Sequence, residues 1–213
     1  MDKLAPASVR RDRRKENASL TQAALHAAGL RLFGAQGYEA TSIGSICAEA
    51  KVTTGALYHH YGDKKGLFAA IVEEIDGNLV VAAESASSRI LAQGGEPWAA
   101  FLATIDSVLN AGMDPAGRRI MLTDAPAVLG ATAWEAIRQK HGLGAMVKSV
   151  QFLQSRDIFG REDPTRLARI ILGTLYGAIE SLPNEPRRSA RALTEARRWV
   201  HAMLVALRRD ISP

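Results

Sequence analysis

Five histidines, one cysteine and scattered hydroxyls and carboxylates are the groups in this 213-residue chain that could do chemistry. Their spacing does not assemble them. His59 and His60 are adjacent, and neighbouring positions on a helix point about 100° apart. His26, His141 and His201 are distant, and no Cys or carboxylate stands beside any histidine at ligand spacing, so no metal is expected. No Ser, His and Asp set has a recognisable local context, and there is no phosphate-binding glycine loop, so no catalytic residue and no cofactor are expected either. Cys47 falls on the apolar side of a helical pattern and reads as a core thiol, because a redox-active thiol needs exposure and positive surroundings.

A different chemistry is written between positions 41 and 68, TSIGSICAEAKVTTGALYHHYGDKKGLF. Ile43, Ile46, Cys47 and Ala50 gather one apolar face on a short helix, with Thr41 or Ser42 as its N-cap. After a tight connection at Ala50, Lys51 and Val52, Thr53 caps a second short helix through His59. Two capped helices across such a turn form a helix-turn-helix. Leu57 and Tyr61 face inward with Val52. The opposite side carries Thr53, Thr54, Gly55, Tyr58 and His59, small or hydrogen-bonding groups that leave room for a DNA major groove. Asp63 then caps a third helix opening with Lys64 and Lys65, and a helix N-terminus beside a lysine suits a backbone phosphate. The expected DNA contacts are Thr41, Ser42, Lys51, Thr53, Thr54, Gly55, Tyr58, His59 and Lys64. Tyr58, His59 and Lys64 are expected on phosphates, and Thr53 and Thr54 nearer the bases. Gly55 is expected to let backbones approach.

At these residues the run from Leu20 to Val72 resembles the DNA-binding domain of the TetR family of bacterial transcriptional regulators. The likeness is carried by Ala28, Leu32, Phe33, Gly37 and Tyr38, by Thr41, by Gly55, Leu57 and Tyr58, and by Lys64, Leu67 and Phe68. It covers roughly the first third of the chain. The pattern departs at Lys51, where the family usually has a turn glycine, the residue that takes a left-handed backbone at least cost; Lys65 and Gly66 stand where acidic residues are usual. Further on, the run from Arg118 through Gly144 resembles an effector-side domain of one subgroup of the same family. The resemblance implies a homodimer, a palindromic operator, a small-molecule effector and, most often, repression.

The elements that must position these residues are helices. Hydrophobic residues make up 47% of the chain and aromatics 6%, and no alternating β-branched runs occur, so the fold is expected to be all-α with about nine helices. It comprises a three-helix DNA-binding domain followed by a helical ligand-binding and dimerisation domain. Residues 1–17 are expected as a basic flexible arm, able to track phosphates or the minor groove or simply a solvated tail. Residues 18–78 form the helix-turn-helix domain and 79–213 the effector and dimerisation domain. The first helix is expected from about Ser19 to Gln36, packing through Leu20, Ala24, Ala27, Ala28, Leu32 and Phe33. Residues 1–65 hold 10 Lys and Arg against 6 Asp and Glu, a net of +4, leaving 17 against 16 for the rest. The positive excess therefore lies with the motif, where counterion release would use it. No apolar stretch suits a membrane span and the N-terminus is charged, which predicts a cytoplasmic protein.

Proline-marked helices follow from Pro97 and Pro164, and a long pattern runs from Thr132 to about Ile158, weakened by Gly142 and Gly144. Trp98, Phe101, Ile105, Met121, Trp134, Phe152 and Tyr176 could line an effector pocket, with Asp124, Arg138 and His141 as polar handles. The apolar stripes over 164–182 and 187–208 are wider than one buried face needs, so a two-fold partner is expected to cover them. The function read from these features is a homodimeric regulator that binds a palindromic site and is released by a small apolar or amphipathic molecule. The alternatives are a ligand-independent architectural DNA-binding protein and an enzyme.

Overall fold

A computed structural model describes residues 7–209, with side chains from position 16 onward. Among these residues eleven α-helices occur, together with one π-helical turn and no named strand; backbone pairing outside helices is a single bridge between Phe159 and Arg208. The chain divides into two compact units, the first ending at Ile71 and the second beginning at Val72. That division falls earlier than the 78/79 boundary expected from the sequence.

The first unit holds α1 (Ala7–Gln36), α2 (Ile43–Ala50), α3 (Thr54–Tyr61) and the start of α4 (Lys64–Ala92). Helix α1 begins at Ala7, which corrects the expected flexible arm over its described part; residues 1–6 lie outside the described residues. No glycine or proline interrupts positions 7–28, and the Arg, Lys, Glu and Ala of this stretch are strong helix formers. Leu20, expected in the packing, is 63% exposed, and Leu25 takes the buried position instead. The core collects Leu25, Ala28, Phe33, Ile46, Cys47, Leu57, Leu67, Phe68 and Ile71. Phe33, Tyr38 and Phe68 meet with ring centroids 5.0–5.6 Å apart. Helix α1 ends where Gly37, at φ 86°, donates its N–H to Phe33 O at 2.9 Å.

The second unit continues α4 and adds α5 (Pro97–Ala111), α6 (Pro115–Arg118), a π-helical turn over Arg119–Asp124, α7 (Ala125–Leu129), α8 (Ala131–Lys140), α9 (Gly142–Gln154), α10 (Pro164–Glu180) and α11 (Pro186–Ala206). Asp114 caps α6 through the N–H groups of Ala116 and Gly117, and Asp163 caps α10 through that of Arg166. The expected long helix from Thr132 is broken at His141, whose φ of −120° and ψ of −97° are not helical. This break and the short helices around the π turn account for elements beyond the expected nine. The core is built from Phe101, Ile105 and Leu109 of α5, Leu143, Met146 and Val150 of α9, and Ile171, Leu172 and Leu175 of α10. Asp106 of α5 holds α11 through Arg197 at 3.0 Å and His201 Nε2 at 2.9 Å. Arg118 donates to Leu182 O at 3.0 Å and to Asn184 Oδ1 at 2.5 Å, tying the α6 end to the turn after α10.

Candidate nucleic-acid interface and internal cavity

Helix α2 starts at a capping box: Ser42 Oγ accepts the Ser45 N–H at 3.0 Å and Ser45 Oγ accepts the Ser42 N–H at 3.2 Å. It ends at Lys51, whose φ of 55° and ψ of 40° are left-handed, and whose N–H reaches Ala48 O at 3.3 Å. Thr53 caps α3 by accepting the Ala56 N–H at 3.3 Å. Leu57 is fully buried and pins α3 to the core, while the Tyr61 hydroxyl donates to Gln22 O of α1 at 3.1 Å. Those anchors leave the other side of α3 outward: Thr53, Thr54, Gly55, Tyr58 and His59 are exposed, with Lys51 and Ser42 also exposed on the turn and the α2 cap. A Cβ built on Gly55 meets only Thr53 Oγ1, at 3.9 Å. Nothing inside the unit therefore demands a glycine there.

Two expected contact residues are placed otherwise. Thr41 is 1% exposed, its hydroxyl donating to Gly37 O at 2.7 Å and accepting from Gln36 Nε2 at 3.2 Å. Its side chain locks the α1–α2 connection and is not part of the outer surface. Lys64 sends its ammonium back to Tyr38 O and Thr41 O, each at 3.0 Å, and lies 4.0 Å from the Tyr38 ring centroid. Two carbonyls and a ring face occupy that cation, so the exposed Lys65 is the lysine of this helix start that faces solvent. Burial, with Asp63 and Glu39 nearby, raises the Tyr38 hydroxyl above its ordinary range, keeping it neutral beneath the lysine. Asp63 caps α4 through the Gly66 N–H at 2.6 Å, and a Cβ on Gly66 would stand 2.0 Å from Tyr61 O. The α3–α4 corner thus closes only around a glycine. Cys47 is 4% exposed, with Sγ 3.8 Å from Thr53 O, the core thiol its position predicts. Among the described residues no group of three or more His, Cys, Asp or Glu could hold a metal ion.

The second unit carries a half-open cavity of about 390 Å³. Of the seven residues expected to line it, Phe101, Phe152 and Tyr176 do so; Trp98, Ile105, Met121 and Trp134 do not. Ile105 is wholly in the core, Trp98 packs on Phe101 and Phe159 with Arg208 over its ring, and Trp134 lies near Arg138. The proposed handles Asp124, Arg138 and His141 also lie off its wall. Spacing along one helix identifies an apolar face but not which neighbour fills it.

The buried acid on the wall is Asp76, 3% exposed. Its signal was present in α4, where Ile71, Val72, Ile75, Leu79, Val80 and Ala83 form a stripe with Asp76 inside it. Oδ2 accepts the Gly142 N–H at 3.1 Å, at the start of α9. Burial raises its carboxyl above the usual range against the opposing pull of that N–H, His141 and Arg138. One turn earlier, Glu73 pairs with Lys140 and meets His141 Nε2 at 3.4 Å; hydrogen bonds from these two hold its carboxyl below the usual range. Tyr176 is pushed up by burial, beneath the Arg138 guanidinium 5.1 Å from its ring centroid.

A capped two-helix reader with a bare outer face, on an all-α scaffold, defines a helix-turn-helix protein of the DNA-binding regulatory class. Residues 25–71 match the family model described as bacterial regulatory proteins, tetR family, and residues 98–207 match that described as tetracyclin repressor-like, C-terminal domain. The chain belongs to the TetR family. It is similar to the HTH-type transcriptional regulator AcrR of Shigella flexneri, 42% identical over 65 residues, or 30% of either chain. The A-factor receptor protein of Streptomyces griseus is 28% identical over 151 residues, 70% of this chain and 50% of the relative. The chain thus spans half or less of the length of these curated relatives. Among solved structures, a TetR-family transcriptional regulator from Pectobacterium atrosepticum superposes with a TM-score of 0.73 at 31% identity, over 93% of this chain and 98% of that one. The regulatory protein TetR from Rhodobacter sphaeroides shares the fold, with a TM-score of 0.64 at 18% identity over 89% and 100% of the two chains.

Proposed function

We propose that this chain is a ligand-responsive transcriptional repressor of the cytoplasm, binding a palindromic operator as a homodimer and released when a small apolar or amphipathic molecule fills its second unit. The observation that carries the reading is the outer face of α3, where Thr54, Gly55, Tyr58 and His59 are exposed while Leu57 behind them is fully buried. The first turn of α3 enters the major groove, and Thr54 meets base edges. Gly55 keeps the backbone bare at closest approach. Tyr58, His59, Lys51, Ser42 and Lys65 lie on phosphates, which fix position and supply the salt-dependent part of affinity.

Dimerisation is supported by apolar groups left outside the core on α10 and α11: Ile170 is 57% exposed, Trp199 58% and Met203 49%. A two-fold axis through these helices would set two readers against two half-sites of an inverted repeat. Release follows from a shift in population. A ligand that fits the cavity better in the conformation with wrongly spaced readers favours that conformation, and DNA weakens ligand binding by the same factor. The α4 residues Asp76, Leu79, Val80 and Ala83 line the cavity, on a helix unbroken from Lys64 to Ala92.

The test is selection of bound sequences from a random duplex pool at physiological salt, with the full chain and no ligand. An enriched inverted repeat supports the reading. Binding retained without enrichment overturns it in favour of an architectural DNA-binding protein, which the net +4 of residues 1–65 would also serve.

A further inference from the structure

We infer that the cavity of the second unit selects an apolar molecule whose polar head donates a hydrogen bond, an amine or a hydroxyl and not a carboxylate, with Asp76 Oδ1 as the acceptor. This rests on the reading of that cavity as the effector site.

Asp76 is an anomaly within its helix. It stands in the apolar stripe of α4 and is 3% exposed, yet it receives one hydrogen bond among the described residues, from the Gly142 N–H to Oδ2 at 3.1 Å. Oδ1 accepts none. A largely buried carboxylate with one oxygen left to the solvent of a half-open pocket costs stability that an apolar side chain of similar size would not. The cations near it are turned elsewhere: the Arg138 guanidinium lies over the rings of Trp134 and Tyr176, at 5.8 and 5.1 Å from their centroids, and His141 Nε2 meets Glu73. Gly142 keeps the carboxylate accessible, since a Cβ there would stand 2.9 Å from Oδ1.

The surroundings decide what would answer that oxygen. Leu79, Phe101, Met146 and Leu172 make the walls largely apolar, and the Thr104 and Ser149 hydroxyls among them donate to carbonyls of their own helices, so a ligand brings a hydrocarbon body. A carboxylate head would place a second anion beside the largely buried Asp76 and raise both pKa values, a repulsion that a donor head replaces with a bond. A purely apolar ligand would leave Oδ1 dry and unpaired. At the exposed rim Glu84 and Lys148 carry opposite charges, so the rim sets no preference of sign and the inner carboxylate does. The outcome is discrimination by what the ligand's head can donate.

The experiment compares four probes that share one body, 4-phenylbutylamine, 4-phenylbutanol, 4-phenylbutanoate and butylbenzene, by titration calorimetry on the full chain at fixed pH and salt. The amine or the alcohol is expected to bind at least about tenfold tighter than the carboxylate, about 1.4 kcal/mol. Whichever leads tells whether the head is accepted charged or neutral. In Asp76→Asn, whose amide can donate as well as accept, the gap is expected to shrink to within about twofold. The head-group series on the unaltered chain carries the test alone should that variant not fold. Carboxylate binding as tight as the amine and the alcohol overturns the head-group inference and leaves the cavity as a ligand site. Binding by none of the four overturns the cavity reading itself. Thr104→Trp, which fills the cavity from α5, is expected to abolish all binding; probes that still bind to it overturn the placement.

Discussion

Lys51 holds the helix-turn-helix corner in a left-handed conformation that a Cβ resists, at φ 55°. Lys51→Gly is expected to raise stability by about 1 kcal/mol, the relief of that strain less the entropy glycine adds to the unfolded chain. It should also lower the salt slope of DNA binding by about 1 as one phosphate contact goes. Urea midpoints and a salt titration read the two effects separately. Gly66 is the opposite case. Its missing side chain makes room for Tyr61 O, so Gly66→Ala is expected to cost about 1–3 kcal/mol in the same urea experiment, as overpacking does. At Asp76 the folded carboxyl holds its proton more tightly than the unfolded one, because burial raises its pKa. Its contribution to stability is therefore fully present below the unfolded value and is lost as pH rises through the folded one. Asp76→Asn should gain on the wild type between acid and neutral pH, read by denaturation at a series of pH values. Glu73, shifted downward, acts with the opposite sign in both proteins and cancels in that difference. The strained turn at Lys51 was legible because its neighbours fix the motif around it. Thr41 and Lys64 were legible as motif members but not in their roles, since spacing does not reveal that a hydroxyl and an ammonium turn back to the carbonyls of a preceding turn.

Lys64 acts on elements, joining the first turn of α4 to the chain between α1 and α2. Lys64→Met removes two charge-assisted bonds to partly buried carbonyls and is expected to cost about 2–3 kcal/mol in urea denaturation. Lys65→Met should leave stability within about 0.5 kcal/mol and reduce the salt slope of DNA affinity by about 1. Equal stability of the two variants would return Lys64 to the role of a free phosphate binder. Helix starts were readable at the side-chain caps Ser42 and Thr53 and at the proline after Asp163, but not at Asp114, whose surroundings read as a turn. The start of α1 was not readable either, because a charged stretch without an apolar stripe is compatible with helix and with coil alike. The break between α8 and α9 was signalled only as a weakness at Gly142 and Gly144. It depends on Asp76, far away in sequence, taking the N–H of Gly142, and on Gly144 admitting Gln139 O 2.5 Å from where its Cβ would be.

For the molecule as a whole, the test lies on the outer faces of α10 and α11. Ile170→Arg is expected to shift the protein towards monomers in sedimentation velocity and to weaken operator binding, with helix content unchanged, because a charge would stand in the proposed two-fold interface. A variant that stays dimeric would place the interface elsewhere. The all-α class was legible from composition and helical period alone, and the family from the motif. The lining of the cavity was legible only in Phe101, Phe152 and Tyr176, because α4, α5, α9 and α10 each contribute to it and their mutual register is a tertiary fact.

The lone thiol gives this architecture a built-in clock. Cys47 is the one cysteine of the chain and lies buried against the turn into α3, so a thiol reagent can reach it only when the first unit opens. Everything from Val72 onward is silent to that reaction. Labelling rates under native conditions therefore measure the opening free energy of the reading head by itself, apart from the larger unit that follows it in the chain.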